Sequence, residues 1–230
     1  MKSLNSRKIL VLALLSLALG FSLTLTACGF SNNNAAQENI NRAPASSSNI
    51  LFEDDFSNTS SGWHQMNITE GIADYEDGYY KIIVHAKNTD FWAYPGLNFE
   101  DTIIEVDAAT VAGPLDNNLG VICRHQDIKN FYFFIISSDG YYGSGKVIEN
   151  EQTLIAANKM QPSEAITQGY STNHIKAVCD GPHMSLNVNG VQLTAVEDSA
   201  LTSGDVGLLA GTFSESNTSI HFDNFVVKKP

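Results

Sequence analysis

The sequence predicts an all-β fold, a jelly-roll sandwich of two antiparallel sheets, and three observations support this prediction. Many segments are rich in aromatic and β-branched residues, which favour strands. Asn-Gly and Asp-Gly dipeptides separate several of them, as in two-residue hairpins. Long stretches with helical periodicity are missing. The predicted strands include residues 79–85, 102–107, 131–136, 174–178, 184–188, 205–209 and 219–227.

The strongest hairpin signal is Asn189-Gly190, which lies between the strand-like segments SLNV and VQLTAV. A type I′ turn needs positive φ at both central residues, and Asn followed by Gly tolerates this. Asp77-Gly78 and Asp139-Gly140 give the same signal. Segment 131–136, FYFFII, is apolar on both faces. That pattern is typical of inner strands in two packed sheets.

The first residues do not read as part of the sandwich. Three basic residues, Lys2, Arg7 and Lys8, precede an apolar run over residues 9–25. This is the arrangement of a secretory signal. An uncleaved transmembrane helix is the alternative, but the run is slightly short for one.

The apolar run ends in Leu25-Thr26-Ala27-Cys28, which resembles the bacterial lipobox. The resemblance implies that residues 1–27 are removed and that the Cys28 thiol is diacylated. More than one acyl chain makes membrane anchoring stable. We therefore expect an extracytoplasmic protein anchored to a lipid membrane. Gly29, where retained inner-membrane lipoproteins often carry Asp, favours the outer membrane if the host has one.

Residues 28–49 predict a flexible tether between the anchor and the domain. They are rich in Asn, Ala and Ser and poor in residues that form a core. About 20 such residues span roughly 25 Å. The tether is therefore long enough to lift the domain at 50–230 clear of the lipid surface.

The charge balance excludes one class of partner. The first 27 residues hold three of the 13 basic residues and none of the 25 acidic ones. The remaining chain has a net charge of about −15, which is repelled by phosphate backbones. We expect no nucleic-acid binding.

The two remaining cysteines, Cys123 and Cys179, lie within apolar strand-like segments. An oxidising compartment allows a disulfide, and we predict that they pair across neighbouring strands. Two buried free thiols are the alternative. Two cysteines alone lack the spacing of a zinc site.

The domain resembles concanavalin A-like (laminin G-like) lectin and glucanase domains over nearly all of residues 50–230. The resemblance is carried by the opening LFEDDF with SGW, by NHIKAVCDG with MSLNVNG, by DVGLLAG and by the final IHFDNFVV. These segments are similar to the family's first strand, central hairpin, penultimate strand and last strand. The fold hosts lectins, glycosidases, adhesion modules and inert spacers, so the resemblance alone does not select a function.

The family also implies a possible structural Ca²⁺ where the first and last strands meet. Here that junction is expected to bring Glu53 or Asp55 near Asp223. Calcium prefers several oxygen ligands. Edge-strand charges that deter aggregation are the alternative interpretation. No cofactor is required by either interpretation.

Catalytic motifs are incomplete. One glycosidase family of this fold uses Glu-x-Asp-x-x-Glu, whereas this chain has Glu105-Val-Asp107-Ala-Ala-Thr110 and lacks the last carboxylate. Glycoside hydrolysis needs two such groups. The segment Gly140 to Lys146 matches G-x-x-x-x-G-K, but Val147 replaces the Ser or Thr that holds Mg²⁺. We expect neither an enzyme nor nucleotide binding.

Carbohydrate binding is the leading functional hypothesis. Flat aromatic side chains pack on the C–H face of a sugar, and polar groups around them bind its hydroxyls. The alternatives are a glycoside-processing enzyme of the same fold and a structural or protein-interaction envelope lipoprotein. The candidate binding residues lie next to turns or on the Cys123 strand and are Trp92, Tyr94, Arg124, Tyr141 and Tyr142.

Overall fold

The computed structural model describes Lys8, Ile9 and residues 49–230. Within these residues it contains seventeen β-strands and no helix, which confirms the all-β prediction. Cys28, nearly all of the predicted signal and most of the predicted tether lie outside the described residues. In the described part, no helix is long and apolar enough to cross a membrane.

The strands form two sheets packed face to face. The first, which we call the front sheet, has the order β1-β6-β16-β8-β9-β10-β11, with β12 added on β10. All its pairs are antiparallel except that between β1 and β6. Its strands are β1 (Lys8–Ile9), β6 (Thr89–Ala93), β8 (Asn117–Asp127), β9 (Asn130–Ile136), β10 (Tyr141–Ile148), β11 (Glu151–Leu154), β12 (Gln161–Pro162) and β16 (Asp205–Thr212).

The second sheet, the back sheet, has the order β15-β14-β13-β7-β17-β5-β4-β3, with β2 added on β17. The first strand of the domain therefore pairs with the last, as the resemblance implied. Its strands are β2 (Ile50–Asp54), β3 (Met66–Ile68), β4 (Gly71–Glu76), β5 (Tyr79–Val84), β7 (Thr102–Ala112), β13 (Thr172–Asp180), β14 (His183–Val188), β15 (Val191–Glu197) and β17 (Thr218–Lys228).

The main core fills the space between the two sheets. On β7 and β14 every second residue is buried, because successive side chains of a strand point to opposite sides. Aromatic rings dominate the end of the core near β2. The ring centroid of Trp63 lies 4.9 Å from that of Phe225 and 5.3 Å from that of Phe56. Aromatic pairs at such distances add to the free energy of simple burial.

The disulfide between Cys123 and Cys179 forms as predicted, with 6.9 Å between the Cα atoms. Its placement differs from the prediction. Cys123 lies on β8 of the front sheet and Cys179 on β13 of the back sheet, so the bond crosses the core. Both side chains point inward, and facing side chains of two packed sheets can meet in this way. The disulfide therefore ties the sheets together.

Two of the three predicted hairpin turns have the expected backbone. Asn189 and Gly190 both have positive φ, and so do Asp77 and Gly78. The turn at Ser137–Gly140 is different, because only Gly140 has positive φ, and its N–H bonds to the Ser137 carbonyl at 2.9 Å. That geometry is typical of a type I turn followed by a left-handed glycine.

Candidate functional site

The outward-facing sides of the two sheets have opposite chemistry. On the back sheet, Glu105 pairs with Lys228 at 2.6 Å, and Asp107 pairs with His174 at 2.8 Å. On the front sheet, the outward-facing side chains form a second apolar cluster, separate from the main core. We call this side the front face. Its cluster consists of Trp92, Ile122, Phe131, Phe133, Ile135, Val147, Met160, Leu209 and Phe213.

Glycines lie among the large side chains of the front face. In one row, Leu209 lies beside Trp92 and Gly120, and Ile135 lies between Gly120 and Gly143. In the next row, Ile122 follows Gly207, and Phe133 follows Ile122 and precedes Gly145. A Cβ atom added at Gly143, Gly145 or Gly207 would crowd a side chain of the cluster, whereas at Gly120 it would meet the backbone of the neighbouring strand.

Phe133 shows this effect directly. A Cβ atom built on Gly145 would lie 2.3 Å from the Cζ atom of Phe133, so the phenyl ring occupies the space above the glycine. Real Cβ contacts are never that short, and overpacking of this kind destabilises a protein. The glycine is therefore required for the flat position of the ring.

Trp92 and Phe131 also lie along the sheet. Their strands, β6 and β9, are separated by β16 and β8, so their backbones are about 14 Å apart. The ring centroids are only 5.1 Å apart. Both rings therefore lean toward each other over the intervening strands and pack at an interplanar angle of 44°.

Trp92 is buried, with 4% of its surface exposed. Side-chain alternation along β6 explains the position of Trp92, since Phe91 and Ala93 point into the main core and Trp92 points the other way. Its Nε1–H donates a hydrogen bond to Nε2 of His125 at 3.2 Å.

Tyr94 lies at one corner of the front face and is half-buried. Its ring stacks on His125 at 4.7 Å and on the exposed His64 at 5.4 Å. Burial lowers the pKa of His125 to about 4. The neutral ring therefore accepts the Trp92 hydrogen bond at neutral pH.

At the end of the front face opposite His125, Asn118 and Asp90 form a polar pair. Asn118 Nδ2 donates to Asp90 Oδ1 at 3.2 Å, above Gly211. Asn118 is fully buried, and its Oδ1 accepts no hydrogen bond from the part of the chain that the structure describes. A buried acceptor without a hydrogen bond destabilises the folded protein until a donor reaches it.

The two adjacent tyrosines Tyr141 and Tyr142 lie on opposite sides of the front sheet. Tyr141 packs against the front-face cluster and is half-buried, whereas Tyr142 packs against the main core. Alternation along β10 makes this inevitable. Only Tyr141 therefore belongs with Trp92 and Tyr94.

Arg124 is not directed at the front face. It sits at positive φ within a bulge of β8, and only 2% of the residue is exposed. Its guanidinium donates to the carbonyl oxygens of Glu100 (3.0 Å) and Leu201 (2.8 Å) and to the carboxylate of Asp101 (3.0 Å). The donors expected to bind a ligand are thus used to hold two loops.

The residues of the partial glycosidase motif are also separated. Glu105 and Asp107 face outward on the back sheet, whereas Thr110 is buried and bonds to Ser138 Oγ at 2.6 Å. An offset of three places Thr110 on the other side of the strand from Asp107. The two carboxylates that remain are engaged with basic partners and not directed into a cleft.

The residues expected at a calcium site lie where β2 meets β17. Glu53 and Asp55 line a cleft of about 500 Å³ with Asn224, and the neighbouring Asp223 lies opposite Asp107 of β7 in the sheet register. Asp54 accepts hydrogen bonds from Trp63 Nε1 and from the Ser61 hydroxyl. Among the described residues, no group of three His, Cys, Asp or Glu side chains is arranged to hold a metal ion. The calcium site therefore stays a prediction.

One exposed aromatic residue was missed by sequence reasoning. Tyr170 has 64% of its surface exposed and lies in the loop before β13. The sequence around it, TQGYST, has no strand pattern and no second aromatic residue. Aromatic clusters guided the sequence prediction, so an isolated tyrosine gave no signal.

Comparison with solved structures shows the concanavalin A-like jelly-roll fold. A carbohydrate-binding module, CBM66, from Bacillus subtilis aligns with a TM-score of 0.57 at 19% identity, over 74% of this chain and 96% of that one. A Bacillus licheniformis β-glucanase aligns with a TM-score of 0.57 at 10% identity, over 78% and 98%. A Bacillus subtilis protein with a galectin-like fold aligns with a TM-score of 0.58 at 13% identity, over 78% and 96%.

Neither the comparison with family models nor that with curated proteins finds a match. At these low identities, the structural matches establish the fold and leave the function to be argued from the site.

Proposed function

We propose that this chain is a non-catalytic carbohydrate-binding protein, held outside the cytoplasm by an acylated Cys28, and that its front face binds the sugar. The observation that carries the proposal is the difference between the two outward sides. The front face is a layer of buried aromatic and aliphatic side chains bordered by the half-buried Tyr94 and Tyr141, whereas charged side chains of the back sheet are paired with each other.

Half-buried aromatic rings beside an apolar layer suit a sugar ring. The C–H side of a pyranose packs on aromatic faces, and a few polar groups fix its hydroxyls. Tyr94 and Tyr141 are the half-buried aromatic residues at the two ends of the front face. In this proposal they contact the sugar, and the buried Trp92 supports the layer beneath them.

The polar groups that a sugar needs lie at both ends of the front face. Asn118 Oδ1 offers a buried acceptor to a hydroxyl. At the opposite end, His64 is exposed and stacks on Tyr94 with its ring almost parallel, at 7°. Hydrogen bonds at both ends of an apolar layer orient a ligand without adding much affinity of their own.

The arrangement of carboxylates supports binding over catalysis. Retaining glycosidases hold two carboxyl groups about 5–5.5 Å apart across the scissile bond. Glu105 and Asp107 lie on the other sheet from the aromatic layer, and each is paired with a basic side chain. The fold itself accommodates both activities, since the solved structures that share it include a carbohydrate-binding module and a β-glucanase.

The test is a binding screen of the full chain, purified in detergent, in native gels that contain neutral polysaccharides such as mixed-linkage β-glucan, levan or galactan. We expect retardation with at least one of them, and about tenfold weaker binding for Tyr94→Ala, because a stacking ring is lost. Tyr79→Ala is the matched control, since Tyr79 is 41% exposed on the back sheet.

The same screen examines the calcium and enzyme hypotheses. Because the predicted calcium carboxylates belong to strands of the back sheet and not to the front face, a chelator is expected to leave binding unchanged. We also expect no new reducing ends after long incubation with the bound polysaccharide. Retardation by no polysaccharide in the panel, or equal loss in Tyr79→Ala and Tyr94→Ala, contradicts the proposal.

A further inference from the structure

Tyr170 is the most exposed large apolar side chain in the described part of the chain, at 64%. It belongs neither to the main core nor to the front-face cluster. Its ring therefore contributes little to folding through burial. The exposed ring is open to contact by a ligand.

The tyrosine is nevertheless held in place. Its hydroxyl donates to the carbonyl oxygen of Gly113 at 2.8 Å. The preceding residue, Gly169, donates its N–H to Ser138 at 2.8 Å. Asn173 closes the loop by bonding both the N–H (2.8 Å) and the carbonyl (2.9 Å) of Thr167. A side chain that is ordered before binding loses less conformational entropy when a ligand arrives.

The surroundings of Tyr170 are apolar or acidic. Its hydroxyl reaches Gly113 in the loop between β7 and β8. Leu115 of this loop is 36% exposed, and Val111 near the end of β7 is 44% exposed. The loops at this end, residues 110–117, 137–140 and 163–171, contain three acidic residues and no Lys or Arg. Such a surface favours a neutral ligand over an anionic one.

The turn at residues 137–140 connects this surface to the front face. Tyr141 follows the turn directly, and its N–H donates to Ser137 Oγ at 3.2 Å. On the other side of the turn, Ser138 accepts the hydrogen bond from Gly169. The loop at Gly113, which binds the Tyr170 hydroxyl, and the front face therefore meet at one end of the sandwich.

We propose that Tyr170, with Val111 and Leu115 beside it, is a second sugar-binding subsite, on which a neutral glycan chain continues after it leaves the front face at Tyr141. This inference rests on the proposed function. It adds an independent requirement, because the ligand must be a chain of several sugar units and uncharged.

The experiment compares variants of the full chain in native gels containing neutral mixed-linkage β-glucan, levan or galactan, and in gels containing anionic polygalacturonate. We expect Tyr170→Ala to weaken retardation by the neutral polysaccharide about tenfold, since a stacked ring is lost. Tyr170→Leu keeps apolar bulk without a flat face and is expected to lose as much. Tyr170→Phe keeps the ring and is expected to bind nearly as well as the parent chain.

Two controls separate this inference from the proposed function. Tyr79→Ala removes another exposed tyrosine and is expected to bind normally. Thermal unfolding of every variant checks that the fold is retained, and Tyr170→Leu serves if Tyr170→Ala unfolds. Normal binding by Tyr170→Ala together with weak binding by Tyr94→Ala overturns the subsite and leaves the front face standing. Stronger retardation by polygalacturonate than by any neutral polysaccharide overturns the neutral-chain inference, and retardation by no polysaccharide overturns both.

Discussion

The outward sides of the two sheets use the same strand geometry for opposite purposes. On the back sheet, residues 105 and 107 of β7 point outward as carboxylates and meet Lys228 and His174. On the front sheet, the outward residues of β9 are Phe131, Phe133 and Ile135, and all are buried in a second cluster. Alternation on a strand decides only which side a residue faces, and composition decides what that side can do.

The difference shows how a sandwich can gain a binding face without a separate domain. A sheet needs only one apolar side for its core, so a second apolar side is an addition to the requirements of folding. Glycines at 143, 145 and 207 support this view, because they weaken strand propensity and leave room for cluster side chains such as Phe133 and Ile122. The need to accommodate the front-face side chains explains these glycines.

The largest expected effect is on stability. Phe133→Ala removes a ring that is 1% exposed, and we expect the free energy of unfolding to fall by about 3–5 kcal/mol. Glu105→Gln on the back sheet breaks a partly exposed ion pair and is expected to cost less than about 1 kcal/mol. Urea unfolding of both variants gives the comparison. Similar losses contradict the contrast between the two sides.

The disulfide provides the next largest effect, because both sides depend on the sheets staying in register. Replacing Cys123 and Cys179 by serine opens a crosslink with a sequence separation of 56. We expect a loss of about 2–4 kcal/mol in the free energy of unfolding. Urea unfolding of the parent chain with and without reductant checks this without any substitution. An unchanged midpoint under reducing conditions contradicts an intersheet crosslink.

Acid is expected to weaken the front face through His125. Burial lowers its pKa to about 4, so the unfolded chain takes up the proton first as the pH falls below about 6.5. The contribution of the neutral His125 ring to the free energy of unfolding is fully present above about pH 6.5 and is lost as the pH falls from about 6.5 to about 4. At pH 4.5 the loss is about 2–3 kcal/mol relative to His125→Gln, which does not titrate.

The measurement is urea unfolding of the parent chain and His125→Gln at pH 7.5 and pH 4.5. Asp205, whose pKa is raised to about 6 by burial, is present in both chains, so its own effect cancels in the difference. His183→Gln changes a histidine whose side chain is 67% exposed and is the matched control. A parallel pH dependence for the parent chain and His125→Gln is the contradicting result.

Much of the fold was predictable because it depends on local patterns. Alternation and β-branched residues located strands such as 102–107 and 219–227, and Asn189-Gly190 fixed its turn through the φ values that the two residues tolerate. The cysteine pair was predictable from compartment and burial. Which sheets it joins was not, because sheet order depends on pairings between residues far apart in sequence.

The candidate site was harder to predict for a related reason. Segments such as TDFWA are apolar on both sides, so the sequence does not say whether Phe91 or Trp92 faces the main core. Arg124 was misjudged because its partners, Glu100 and Leu201, come from distant loops. Tyr170 was overlooked because a single tyrosine among polar residues carries no pattern. Tertiary contacts decide all three cases.

The central claim, that the front face binds the sugar, has a direct optical test. The chain has two tryptophans, Trp63 in the main core and Trp92 in the front-face layer. We would titrate the Trp63→Phe and Trp92→Phe chains with the neutral polysaccharide that retards the parent chain, and follow the tryptophan emission. The account predicts a saturable change from Trp92 in the first chain and none from Trp63 in the second. Retardation with a change only from Trp63, or with no change from Trp92, would contradict it.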